Sequence, residues 1–121
     1  MVDDEFGRLL QGRRQISIKV IGRRTGQTIT LPVWFVTQED ALYLLPVRGS
    51  ETQWYRNMLA NPSMTIQMGK QRETFRATAL RGTQSVRRVI QWFRDKYTPE
   101  VIARLYPGPL NVAVKIRYGR R

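Results

Sequence analysis

Short segments in which apolar and polar residues alternate, each closed by a turn about ten residues after the last, constrain this chain more than any other feature. Ile16, Ile18 and Val20 alternate with Ser17 and Lys19, and Gly22 to Gln27 reads as a turn with glycine at both ends. Thr28 to Thr37 reads as a second strand, with Ile29, Leu31, Val33 and Phe35 on one side. Pro32 cannot donate to a ladder, so this strand is an edge there or carries a bulge. Ala41 to Val47 is apolar with little alternation, as a strand buried on both faces would be. The first 47 residues are therefore expected to form a three-stranded antiparallel meander. Ser63 to Met68, Arg72 to Leu80 and Asn111 to Tyr118 give three further strands, the last with Val112, Val114, Ile116 and Tyr118 inward. About six antiparallel strands indicate a barrel or sandwich in a mainly β chain with inserted helices.

The helices fall between the strands. Asp3 to Gln11 has room for one or two turns. Ser50, with Gln53 three residues on, has capping-box spacing and opens a helix that Asn61-Pro62 ends. Val86, Val89, Ile90, Phe93 and Tyr97 form the clearest amphipathic stripe, after a cap at Thr83 or Ser85. Thr98-Pro99-Glu100 starts another helix with proline at its first position, and Pro107-Gly108-Pro109 stops it. At 121 residues the chain is expected to be one domain, 1–121, with no repeat, low-complexity linker or second domain. A basic tail, Gly119 to Arg121, closes it.

The charge limits the partners. Lys and Arg number 21 against nine Asp and Glu, a net +12. Such a chain suits an anionic partner: nucleic acid, an acidic membrane face, or a ligand rich in phosphate or carboxylate. Cysteine and histidine are both absent. That removes the thiolate nucleophile, the commonest general base and the commonest zinc ligands, and no metal site is expected. The acidic start does not resemble a signal peptide and no apolar run approaches a membrane span, so a cytoplasmic protein is expected.

Two basic elements stand out. Arg23 and Arg24 occupy the glycine-bounded turn, where two guanidiniums can grip a phosphate or carboxylate; a solvated hairpin tip would look the same. Arg48 and Gly49 precede a helix N-terminus, which attracts anions. The meander puts both elements at one end, so Arg23, Arg24 and Arg48 are expected to converge on one anion. Trp54 and Asn57 share a helix face beside them. Trp34, next to Pro32, lies on the polar-alternating side of its strand, where it could border a planar ring. The basic face Arg87, Arg88, Arg94 and Lys96 reads as a solvated helix surface.

Gly22-Arg23-Arg24-Thr25-Gly26, then Leu31-Pro32-Val33-Trp34-Phe35-Val36, then Arg48-Gly49, then Trp54-Tyr55-Arg56-Asn57-Met58-Leu59-Ala60-Asn61-Pro62 resembles the deazaflavin-dependent nitroreductase family. The likeness spans roughly residues 16 to 80. It implies a split β-barrel related to FMN-binding flavin reductases and pyridoxamine-phosphate oxidases. It also implies the deazaflavin coenzyme F-420, with hydride passed to a quinone, nitro compound or other small acceptor. On this likeness Arg23, Arg24 and Thr25 meet the coenzyme's phosphate and acidic tail. Pro46, Val47, Arg48 and Gly49 hold the deazaflavin and its phosphate, and Trp54 and Asn57 line the same site. Trp34 would stand on the substrate side, while no residue is assigned as catalytic because the cofactor carries the hydride. Tyr106 matches no pattern of the family and is a further candidate for the substrate side. Ile29 stands where many members have a basic residue, and Gln53 where an apolar one is usual. FMN is the alternative cofactor, since the wider superfamily uses both. The likeness also implies a homodimer.

Two other readings compete. One is an FMN-binding flavin reductase-like protein or a flavin carrier without turnover. The other is a basic nucleic-acid-binding barrel, which the dispersal of the basic residues disfavours, because they do not interleave with aromatics on one strand face.

Overall fold

The computed structural model describes residues 4–119. Asp3, Arg120 and Arg121, on which parts of the expected first helix and basic tail fall, lie outside them. The chain runs α1 (Asp4–Leu10), β1 (Gln15–Ile21), β2 (Thr28–Trp34), β3 (Val36–Gln38), β4 (Ala41–Leu44), a single 3-10 turn (Gly49–Glu51), α2 (Gln53–Ala60), β5 (Ser63–Met68), β6 (Gln71–Leu80), α3 (Thr83–Tyr97), α4 (Pro99–Leu105) and β7 (Ala113–Arg117). All strand pairs are antiparallel. The sheet order is β2-β1-β5-β6-β7-β4-β3. Its two end strands are consecutive segments joined through Phe35, so the sheet curls round on itself into a split barrel.

The expected second strand is thus two strands, and the expected meander is divided: both of its hairpin pairings form, but on either side of Phe35 and not as one continuous three-stranded sheet. Its first half pairs with β1 and its second with β4, while β1 and β4 take β5 and β7 as their other neighbours. The cause is at Phe35. Its N–H donates to the Tyr97 hydroxyl at 3.2 Å, and its carbonyl accepts from Tyr97 Oη at 2.8 Å and Lys96 Nζ at 2.8 Å. With both backbone groups taken by α3, Phe35 leaves the ladder and the strand bends there. Pro32 pairs opposite Ser17 on the end strand β2, the place in a sheet where a residue without an N–H is tolerated.

Two apolar clusters follow from the alternation. Ile16, Ile18, Val20, Leu42, Leu44, Met64, Ile66, Val114 and Ile116 fill the barrel, and α1 and α2 add Phe6, Leu10, Trp54, Tyr55 and Met58. Ala41, Tyr43, Leu45 and Ala113 project the other way, under Val86, Val89, Phe93 and Tyr97 of α3 and Ile102 of α4. This is why β4 lacks alternation: all four of its residues are buried. The amphipathic stripe of α3 lies as its spacing requires, with Ile90 partly buried beside it. Its cap differs from expectation: Gly82 precedes the helix and no side chain caps it. Thr98 does cap α4, accepting from the Val101 N–H at 3.3 Å, with Pro99 in the first turn.

Candidate functional site

The chain leaving β4 turns sharply at Gly49, which has φ +59, and then winds into α2. Ser50 is not the helix cap. It lies within the 3-10 turn, Thr52 is the residue before α2, and no side chain caps the helix. Thr52 Oγ1 is instead used by the loop, accepting the Arg48 N–H at 2.8 Å. The Gly49 N–H donates to the Pro46 carbonyl at 3.0 Å and the Thr52 N–H to the Gly49 carbonyl at 3.1 Å. The loop amides at Arg48 and Gly49 are therefore engaged within the loop, and its side chains are what it offers outward.

The other basic element docks on the same helix. Arg23 Nη1 donates to Asn57 Oδ1 at 2.7 Å and its backbone N–H reaches the same oxygen at 3.1 Å. Arg23 Nη2 donates to Gln53 Oε1 at 2.9 Å. These acceptors are neutral amides, so they orient the guanidinium without cancelling its charge. They also commit the oxygen of the buried Asn57 carboxamide, which leaves its Nδ2 hydrogens as the remaining polar head. Arg24 and Thr25 lie exposed on the turn, with Thr25 Oγ1 accepting from the Gln27 N–H at 3.2 Å.

Between these elements and β2 lies a cavity of about 800 Å³. One wall comes from the loop and α2: Val47, Arg48, Glu51, Thr52, Gln53, Trp54 and Asn57. The other comes from β2: Ile29, Leu31, Pro32, Val33 and Trp34, with Gln15 of β1. Leu45 and, from the end of α4, Leu105 and Tyr106 complete it. Glu51 is neutralised by Arg56 at 2.6 Å. Trp54 is only 6% exposed and serves both the core and the cavity. Ile29, Leu31 and Val33 pair opposite Val20, Ile18 and Ile16, so they share the barrel-facing side of the sheet. Yet Ile29 is 43% exposed, Val47 40% and Leu105 44%, and all three border this one cavity.

The aromatic end is firmly built. Trp34 stacks on Tyr97 at 4.2 Å and 11°, and Arg14 lies 5.5 Å from the Trp34 ring centre. Tyr106 stands 6.4 Å from Trp34 and 6.0 Å from Phe93. Burial pushes the Tyr106 phenol well above its ordinary value, and neighbouring Tyr97 adds to this. Tyr106 is thus a neutral O–H at physiological pH.

Of the residues singled out in the sequence, Trp34, Val47, Arg48, Trp54, Asn57 and Tyr106 line the cavity. Arg23 reaches its wall through Asn57 and Gln53. Arg24, Thr25, Pro46 and Gly49 do not line it: Pro46 and Gly49 are buried in the loop that presents Arg48. Gln15, Leu31, Val33, Leu45, Glu51, Thr52 and Leu105 were not expected. The period-two alternation carried the signal for Leu31 and Val33, as it groups them with Ile29.

A profile of the F420H(2)-dependent quinone reductase family matches residues 2–107. No curated protein matches the chain. Among solved structures, an F420-H2 dependent reductase is similar at 18% identity and TM-score 0.67, over 87% of this chain and 95% of that one. A protein described as a domain-swapped dimer is similar at 19% identity and TM-score 0.68, over 87% and 81%. The heme storage protein HutZ from Vibrio cholerae is similar at 19% identity and TM-score 0.66, over 98% and 90%. At such identities the structural likeness shows the shared split-barrel fold, not a shared ligand.

Proposed function

The chain belongs to the F420H(2)-dependent quinone reductase family, and from that premise we propose that the cavity between β2 and α2 is where its coenzyme and acceptor meet. The family makes it an oxidoreductase that works with coenzyme F-420. The observation that carries the assignment is the division of one cavity into a wall that presents Arg48 with the polar Thr52, Gln53 and Asn57, and an apolar, aromatic one. A phosphorylated tricycle with an acidic tail fits that division, and the volume lies in the range of cofactor sites. The exposed Ile29, Val47 and Leu105 also fit, as apolar surface awaiting a partner.

The bound coenzyme supplies the hydride. Arg48 offers a cation to its phosphate from the cavity wall. Arg23, held by Asn57 and Gln53, directs a second positive charge along the same side. Arg24 and Thr25, on the exposed turn, meet the more distant acidic tail. Asn57 would offer its Nδ2 hydrogens to the coenzyme, with Trp54 and Val47 beside it on the same wall. Pro46 and Gly49 set the loop that carries Arg48. On the opposite side Trp34 and Tyr106 border a quinone or nitro acceptor, and the neutral Tyr106 hydroxyl serves as a hydrogen-bond donor to its oxygen. The apolar rim also supports a homodimer in which a second copy covers part of the opening.

Fluorescence titration of the protein with coenzyme F-420 and with FMN tests the site. Saturable coenzyme binding that weakens in Arg48→Ala and Arg23→Ala is expected. Tight FMN binding without coenzyme binding would sink the reading. In steady-state assays Trp34→Ala is expected to raise the acceptor KM about tenfold while leaving coenzyme affinity unchanged. Light scattering on a sizing column reads the dimer, and a monomer at all concentrations would remove it.

A further inference from the structure

Asn111 lies outside the cavity, yet it is bonded to the loop that forms its basic wall. Its Oδ1 accepts the Ser50 N–H at 3.0 Å and its Nδ2 donates to Ser50 Oγ at 3.1 Å, across 61 positions of sequence. The backbones on the two sides interlock through two glycines. A side chain at Gly49 would run into Asn111 Oδ1 and the Pro109 carbonyl. A side chain at Gly108 would come within 2.9 Å of Arg48 Cα and 3.0 Å of the Val47 carbonyl. No other residue type lets the two chains approach this closely.

We propose that Asn111 is a positioning residue for Arg48. This rests on the reading of Arg48 as a coenzyme contact. The bonds within the loop, from Arg48 to Thr52 and from Gly49 to Pro46, fix its local shape. They do not fix where the loop sits relative to the end of α4. The Asn111 carboxamide does, with the Gly108 backbone lying against Arg48 itself. Leu105 and Tyr106 lie a few residues before this clasp. The Arg48 wall and the α4 end of the cavity are therefore held at one separation. Without the Asn111 carboxamide only the backbone packing at Gly49 and Gly108 holds the loop to this end, and the Arg48 guanidinium is less firmly aimed.

The test is a double-mutant cycle read by coenzyme fluorescence, using Arg48→Ala, Asn111→Ala and the pair. Asn111→Ala removes both bonds to Ser50 and is expected to raise the coenzyme Kd about fivefold. In the Arg48→Ala background it should add nothing, because no guanidinium remains to be aimed. Asn111→Ala should also flatten the salt dependence of binding as Arg48→Ala does, which general loss of stability would not. Ser50→Ala keeps the Oδ1 bond and should give a smaller rise. It completes the same cycle if Asn111→Ala does not fold, as judged by denaturant unfolding. Additive effects, or an unchanged Kd in Asn111→Ala, overturn the proposal while the coenzyme site stands. An unchanged Kd in Arg48→Ala ends it by removing Arg48 from the site. Failure of the wild type to bind ends it by removing the site itself.

Discussion

Phe35 shows how much rests on single side chains. Lys96 Nζ bonds its carbonyl and lies 3.7 Å from its ring centre, while Arg14 stands near the same Tyr97 ring. Desolvation first, and then the Arg14 charge, lower the Lys96 pKa from 10.5 to about 8. Below pH 8 the folded protein carries the full cost of holding this ammonium. Between pH 8 and 10.5 the unfolded chain binds more protons than the folded one, so stability rises with pH there. Burial raises Tyr97 from 10.0 to about 12, against the smaller lowering effect of its bond to Phe35. Its contribution is complete below pH 10 and lost as pH climbs toward 12, so it opposes the rise from pH 10 upward. Urea midpoints measured from pH 7 to 10 should increase in the wild type. The increase attributable to this amine should vanish in Lys96→Met, and an unchanged slope in that variant would refute the assignment. None of this was legible from Lys96 in the sequence, where it read as one more cation on a solvated helix face. Its partner is 61 residues away.

At the scale of elements, what the sequence revealed depended on range. The α3 stripe and the double burial of β4 follow from local periodicity, although β4 ends at Leu44 and the expected strand to Val47 gives way there to the loop. The break between β2 and β3 does not, because Tyr97 and Lys96 impose it from α3. A capping box at Ser50 was a sound local reading that tertiary contacts overrode, since Asn111 claims the Ser50 hydroxyl. The β3–β4 connection offers a direct test of backbone strain. Glu39 is exposed and sits at φ 55, a region that L-residues other than Asn and Asp seldom occupy. Glycine adopts that conformation at no steric cost. Glu39→Gly should therefore stabilise the fold by about 1 kcal/mol, read as a higher urea midpoint with an unchanged m-value. A lower midpoint would show that the Glu39 side chain contributes more than its backbone costs.

For the whole molecule, the net charge of +12 is far more than Arg23 and Arg48 supply. The surplus creates a positive field around the molecule, which would speed the approach of the anionic coenzyme to the proposed site. Association of the coenzyme, measured by stopped-flow fluorescence, should slow about tenfold between roughly 0.05 and 0.5 M salt as the screening length shrinks. Dissociation should change less. A rate indifferent to salt would mean that the charge serves some other partner.

The sequence by itself determined the four helices, every strand but the divided second one, the exclusion of thiol and imidazole chemistry, and the residues whose pattern marks the family. These depend on periodicity and composition, which act along the chain. Only the tertiary structure decided where strand two breaks and that Arg23 bonds Asn57. It also decided that Ile29, Val47 and Leu105 meet at one cavity and that Asn111 clasps the Arg48 loop. Each of these joins groups tens of residues apart, and no local pattern encodes a contact made only when the sheet closes on itself.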